Sequence, residues 1–118
     1  MEARTGSVLI VDDDQAVAGL AADILRGEDL EVHVANDGPT ALALLEANDI
    51  DVVLTDVVLG SVDGVELAEA IALLRPRTIV IFMSGYGVHA RGPAYGDPVL
   101  SKPFSPAELR DRVAAALA

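Results

Sequence analysis

Apolar residues in this chain occur in two alternating patterns: short unbroken runs, and longer stretches where they recur every three or four positions. The runs include Val8-Leu9-Ile10-Val11, Val52-Val53-Leu54-Thr55, Ile79-Val80-Ile81-Phe82-Met83 and Val99-Leu100-Ser101. Strands buried on both faces, as in a parallel sheet, read as continuous runs of this kind. They predict strands over 8–11, 51–58, 78–83 and 99–101, and the alternation from Glu31 to Ala35 predicts a further short one. The helical stretches lie between them. Val17, Leu20, Ala21, Ile24 and Leu25 predict a first helix, with Gly27 as its stop. Asn36-Asp37-Gly38-Pro39 is a turn signal, and Ala41, Leu42 and Leu45 predict a second helix that ends near Asn48. After a loop from Gly60 to Gly64, Leu67, Ala68, Ile71 and Leu74 predict a third, stopped by Arg75-Pro76. The last helix opens at Ser105-Pro106 with Glu108 in capping-box position, and its expected core face is Leu109, Val113, Ala116 and Leu117.

Strands and helices that alternate with short connections specify a doubly wound parallel sheet, with right-handed crossovers covering both faces. The stretch from Tyr86 to Pro98 breaks the alternation. Gly87, Gly92, Pro93, Gly96 and Pro98 stand there without an apolar helical stripe, so a fourth helix is expected to be short or replaced by a loop.

The 118 residues allow one domain, 1–118, with Met1 to Gly6 as a polar, flexible start. Hydrophobic residues make up 52% and aromatics only 3%, so the core must be built from Val, Leu, Ile and Ala. Eight basic against nineteen acidic residues give a net charge of -11, which argues against direct contact with nucleic acid or anionic lipid. The absence of cysteine rules out disulfides and thiolate metal sites. No apolar run approaches the roughly 18 residues of a membrane span, and nothing at the start resembles an export signal, so a cytoplasmic location is expected.

The chemistry stands at the ends of the strands. Asp12-Asp13-Asp14 follows the first run, Asp56 the second, Ser84 the third and Lys102-Pro103 the last. In open parallel sheets, ligands bind in the crevice beyond the carboxyl ends of the strands, so these residues can converge on one site. Clustered carboxylates repel one another unless a cation neutralises them, and Asp12, Asp13 and Asp56 offer the hard oxygen donors that Mg²⁺ prefers. A carboxylate beside such a metal can also take a phosphoryl group as an acyl phosphate, and Asp56, alone at its strand end, is the candidate nucleophile. The metal, the Ser84 hydroxyl and the Lys102 ammonium would balance charge on the phosphoryl oxygens. Asp14 reads as a helix N-cap, and His33 and His89 as surface or structural residues.

In order and spacing, VLIVDDD, LTDVVLGSVDG, IFMSG and LSKPF resemble the receiver domain of two-component response regulators over nearly the whole chain. The resemblance implies a five-stranded, flavodoxin-like (βα)5 fold and a phosphoacceptor domain fed by a sensor histidine kinase or a histidine phosphotransfer protein. It makes Asp12 and Asp13 the metal-binding pair, Asp56 the phosphoacceptor, Ser84 the switch hydroxyl and Lys102 the phosphate-binding lysine. It also implies that the backbone carbonyl of Val58 is a metal ligand and that the Lys102-Pro103 bond is cis. Such a domain is not an enzyme acting on other molecules, since it catalyses only its own aspartyl phosphorylation and dephosphorylation.

The chain departs from the family in three places. Val99 stands where an aromatic residue usually follows the switch hydroxyl, which implies switching through the 87–98 segment. Gly60 replaces a frequent proline. Val58 and Tyr86, beside the approach of the hydrolytic water, imply slow loss of the phosphoryl group. Two other readings compete. A receiver-like module that signals without phosphorylation would not need all five site residues. A phosphohydrolase of the haloacid dehalogenase type would use Asp12 and Asp14, but Ala16 breaks its signature and the chain lacks room for a substrate cap.

Overall fold

The computed structural model describes residues 6–59, 62–84 and 99–118. They form β1 (Gly6–Val11), α1 (Gln15–Arg26), β2 (Leu30–Ala35), α2 (Gly38–Ala47), β3 (Val52–Asp56), β4 (Val58–Leu59), β5 (Val62–Asp63), α3 (Gly64–Leu74), β6 (Ile79–Ser84), β7 (Leu100–Ser101) and α4 (Pro106–Leu117). Five strands make one parallel sheet in the order β2-β1-β3-β6-β7, and β4 pairs with β5 in a separate antiparallel hairpin. The order reverses between β1 and β3, which puts the topological switch point at those two strand ends.

Successive side chains of a strand point to opposite faces, so β1 supplies two cores at once. Val8 and Ile10 join Ala18, Ala21, Leu25, Leu109 and Val113 under α1 and α4. Leu9 and Val11 join Ala41, Leu45, Leu67 and Ile71 under α2 and α3. The aliphatic composition is thus used on both faces, as the unbroken runs require. Three helices carry side-chain caps. Asp14 accepts from Ala16 N and Val17 N, Asp37 accepts from Thr40 N, and Ser105 with Glu108 completes the capping box. The Thr40 hydroxyl and N–H hold the Asp37 carboxyl below its ordinary range.

Several boundaries and faces differ from expectation. Leu20, assigned to the core stripe of α1, is 57% exposed, and the buried stripe is Ala18, Ala21, Ala22 and Leu25. Apolar residues surround most of this helix, so periodicity alone does not select a face, and the small alanines are the ones that meet the sheet. Leu74 of α3 also faces outward, while Leu67 and Ile71 point inward. The third predicted strand stops at Asp56 instead of Val58: Val57 N makes the last ladder bond, to Met83 O, but Val57 O accepts from Gly64 N and the chain leaves the sheet there. Part of the loop expected over 60–64 belongs to β5 and the first turn of α3. His33 is consistent with its structural reading, with Nε2 at 2.6 Å from Glu31 Oε2. The expectations for the N-terminal start up to residue 5, Gly60, the 86–98 segment with its fourth helix, Tyr86 and His89 lie outside the described residues, as does that for the Val58 side chain.

Arg75 ties the end of α3 to the end of α2. Its Nε donates to Leu45 O at 2.9 Å and Nη2 to Glu46 O at 3.5 Å, while Nη1 lies 3.4 Å from Asp49 Oδ1. A cation at the last turn of α2 also complements the helix dipole. Arg75→Met is therefore expected to cost about 1–2 kcal/mol, read as a lower urea midpoint at unchanged slope. A midpoint equal to the parent's would show that water replaces the guanidinium at no cost.

Candidate functional site at the carboxyl ends of the strands

Register brings the strand ends together. Val11 pairs with Thr55, Asp56 with Met83, and Ser84 with Ser101, so Asp12, Asp56, Ser84 and Lys102 leave four neighbouring strands on the same edge. Asp12 is completely buried, which an aspartate tolerates only when its polar atoms are satisfied. Its N–H donates to Ala35 O at 3.1 Å, and its carbonyl accepts from Asn36 Nδ2 at 2.9 Å. Its Oδ1 accepts from Asp14 N at 2.9 Å and its Oδ2 from Lys102 Nζ at 2.6 Å.

The same ammonium donates to Asp56 Oδ2 at 2.6 Å, so Lys102 bridges the ends of β1 and β3. Its own backbone N–H donates to Ser84 O at 2.8 Å, and the peptide bond to Pro103 is cis. Burial pulls the Lys102 ammonium toward its neutral form, but the hydrogen bonds and charges of Asp12 and Asp56 outweigh that pull and hold its pKa above the ordinary lysine value. Ser84 is buried beside this backbone contact. Asp13 is exposed at the mouth, and carboxylate oxygens of Asp12, Asp13 and Asp56 lie within 4.8 Å of one another.

The donors suit a magnesium ion. Three carboxylate oxygens are close enough to share one hard cation, and the exposed Asp13 leaves the mouth open to the water ligands that Mg²⁺ retains. Val58 opens β4, two residues past Asp56, and pairs with Asp63. Asp14 serves as the cap of α1, as its position suggested.

Three supporting residues were missed in the sequence. Asn36 holds the Asp12 carbonyl, although as part of Asn-Asp-Gly-Pro it read only as a turn residue. Thr55 Oγ1 donates to Asp56 O at 3.1 Å. Gly64 lets the start of α3 approach the Asp56–Val57 backbone, since a Cβ there would stand 2.3 Å from Asp56 O. Asn36 follows β2 directly, so the strand-end rule that found Asp12 and Asp56 would also have flagged it.

A doubly wound parallel sheet that gathers acidic residues, a serine and a lysine at its carboxyl edge is an α/β architecture with a charged crevice suited to a hard cation. The chain matches the response regulator receiver domain over residues 8–114, and it belongs to that family, whose general mechanism is phosphorylation on aspartate. It is 37% identical over 120 residues to the sensory transduction protein RegX3 of Mycolicibacterium smegmatis, covering 94% of this chain and 50% of that protein. The chain spans about half the length of the curated relatives it matches. A CheY-like response regulator receiver domain protein from Methanospirillum hungatei superimposes with a TM-score of 0.85 at 31% identity, covering 95% of this chain and 93% of that one. The receiver domain of the hybrid histidine kinase CckA gives 0.83 at 34% identity, covering 96% and 100%. Among the described residues no helix is long and apolar enough to cross a membrane.

Proposed function

We propose that Asp56 is a phosphoacceptor, that Asp12, Asp13, Asp56 and the Val58 carbonyl hold Mg²⁺, and that the phosphoryl group comes from the phosphohistidine of a sensor kinase or phosphotransfer protein. The observation that carries this reading is the Lys102 ammonium at 2.6 Å from both Asp12 Oδ2 and Asp56 Oδ2, with Asp13 completing the acidic cluster. A carboxylate oxygen of Asp56 attacks phosphorus, the O–P bond forms, and the P–N bond to the donor imidazole breaks. The imidazole leaves with the bonding electron pair and is neutral once protonated. Mg²⁺, when bound, would neutralise charge on the phosphoryl oxygens.

The chain's own residues set up the transfer. Thr55 and Gly64 fix the Asp56 backbone, and Lys102 would move from the carboxylate pair to a phosphoryl oxygen as charge develops there. The Ser84 hydroxyl, at the neighbouring strand end, is assigned to another of those oxygens. The phosphorylated form would present an altered protein-binding surface in the cytoplasm, and the acidity of the domain disfavours direct contact with nucleic acid. The domain would catalyse only its own phosphorylation and dephosphorylation.

Intact mass after incubation with a small-molecule phosphodonor tests the reading. A gain of one phosphoryl group is expected with Mg²⁺, and neither in its absence nor in Asp56→Asn. A gain that persists in Asp56→Asn moves the acceptor elsewhere, and no gain in the parent removes the reading.

A further inference from the structure

Four polar atoms anchor Asp12, and three of the partners are Ala35 O, Asp14 N and Lys102 Nζ. The fourth partner is a side-chain amide. Asn36 Nδ2 reaches back from the residue just past β2 to donate to Asp12 O at 2.9 Å. That oxygen belongs to the peptide joining Asp12 to Asp13. Because a peptide unit is planar, fixing its carbonyl fixes the direction in which the chain leaves toward Asp13.

The consequence differs for the two aspartates. Asp12 is completely buried and is held by its other contacts as well. Asp13 is exposed at the mouth, where packing does not hold its side chain. Its place within 4.8 Å of the Asp12 and Asp56 oxygens therefore depends on the backbone that carries it. Behind it the chain turns at once into α1, whose first residue is Gln15. The Asn36 bond and the Asp14 cap together clamp the two sides of Asp13.

We infer that Asn36 is a positioning residue for cation binding: through the Asp12 carbonyl it aims the Asp13 carboxylate into the cluster without touching the ion. This rests on the proposed Mg²⁺ site. Partners of this kind, one step removed from a metal, typically change its affinity about 10–100-fold when removed.

The test is Mg²⁺ binding by calorimetry on the metal-stripped protein, comparing the parent with Asn36→Leu, which has a similar shape and no donor, and Asn36→Ala. Thr78→Val is the control, because Thr78 Oγ1 donates to Ile50 O at 2.7 Å at the opposite edge of the sheet. Both Asn36 variants are expected to bind Mg²⁺ about 10-fold more weakly than the parent, and Thr78→Val to bind like the parent. The Mg²⁺ concentration for half-maximal phosphorylation should rise in step, with the rate at saturating Mg²⁺ little changed. A purely structural hydrogen bond would lower the melting temperature and leave affinity alone.

Parent-like Mg²⁺ affinity in either folded Asn36 variant overturns the inference, and so does an equal loss in Thr78→Val, which would mark a general effect of destabilisation. If the parent gains a phosphoryl group with Mg²⁺ while the Asn36 variants match it in affinity, the inference alone fails. If the parent neither binds Mg²⁺ nor gains mass, the proposed function fails with it.

Discussion

In Lys102→Met the metal-free protein is expected to lose about 3 kcal/mol of stability, and Mg²⁺ to restore more in the variant than it adds to the parent. The Lys102 side chain is 15% exposed and bridges a completely buried Asp12 and a largely buried Asp56. Removing one partner of such a pair leaves charge without compensation, and the usual cost is about 3–5 kcal/mol. The lower end fits because Asp56 keeps some access to water. That the raised pKa survives the burial penalty shows that the site favours the ammonium.

The sign of the pH dependence follows. A cation whose folded pKa lies above its unfolded value of about 10.4 contributes fully below that value and loses its contribution as pH rises through the folded one. The gap between parent and variant should therefore be constant from neutral pH to about 10 and close above it. With the ammonium gone, a divalent cation takes over its share of neutralising the cluster, so its binding is linked more strongly to folding. Chemical denaturation with and without Mg²⁺ measures both effects. A metal-free loss below about 1 kcal/mol would place the pair among weakly coupled surface bridges, and equal Mg²⁺ increments in the two proteins would show that Lys102 and the cation do not share the cluster.

What the sequence revealed of this site, and what it hid, divides along a physical line. Asp12, Asp56, Ser84 and Lys102 were legible because a parallel sheet buried on both faces needs unbroken apolar runs, and each residue stands where such a run ends. The crevice rule then places them together without knowledge of contacts. The rotation of α1 was not legible, since Val17, Ala18, Leu20, Ala21, Ile24 and Leu25 leave its apolar arc too wide to select a face. The end of β3 was hidden for a similar reason: Val57 and Val58 continue the apolar run, and only the bond from Gly64 N to Val57 O shows that the chain has turned. Thr55 and Arg75 were hidden because each acts on a backbone carbonyl, and every residue carries one; Asn36 stands at a strand end, but which carbonyl it meets was hidden in the same way. Side-chain type shows that a donor is available, while only the fold shows which carbonyl it meets.

Gly64→Ala should be the most damaging single-methyl change near the site. A Cβ at Gly64 would stand 2.3 Å from Asp56 O, 2.8 Å from Val57 O and 3.0 Å from Val57 C. All three atoms are backbone, so no flexible side chain can swing away. Asp56 O also takes the Thr55 hydroxyl at 3.1 Å, and Val57 O takes Gly64 N at 2.8 Å, so displacement in either direction loses a hydrogen bond as well. Overpacking usually costs about 1–3 kcal/mol, and the upper part of that range is expected here. Function should suffer more than stability. Asp56 is the residue being pushed, and a misplacement of about 1 Å at a reacting group can cost about 100-fold in rate. Gly19→Ala provides the contrast, because a Cβ there meets nothing within 4 Å and the position lies within α1. Alanine is the better helix former by about 1 kcal/mol, so this variant should be more stable than the parent and phosphorylated at the parent's rate. Opposite signs in the two stability shifts, with the rate loss confined to Gly64→Ala, would show that close backbone approach under Asp56 is what Gly64 provides. A Gly64→Ala protein phosphorylated at the parent's rate would mean that the turn after Asp56 yields without moving the acceptor.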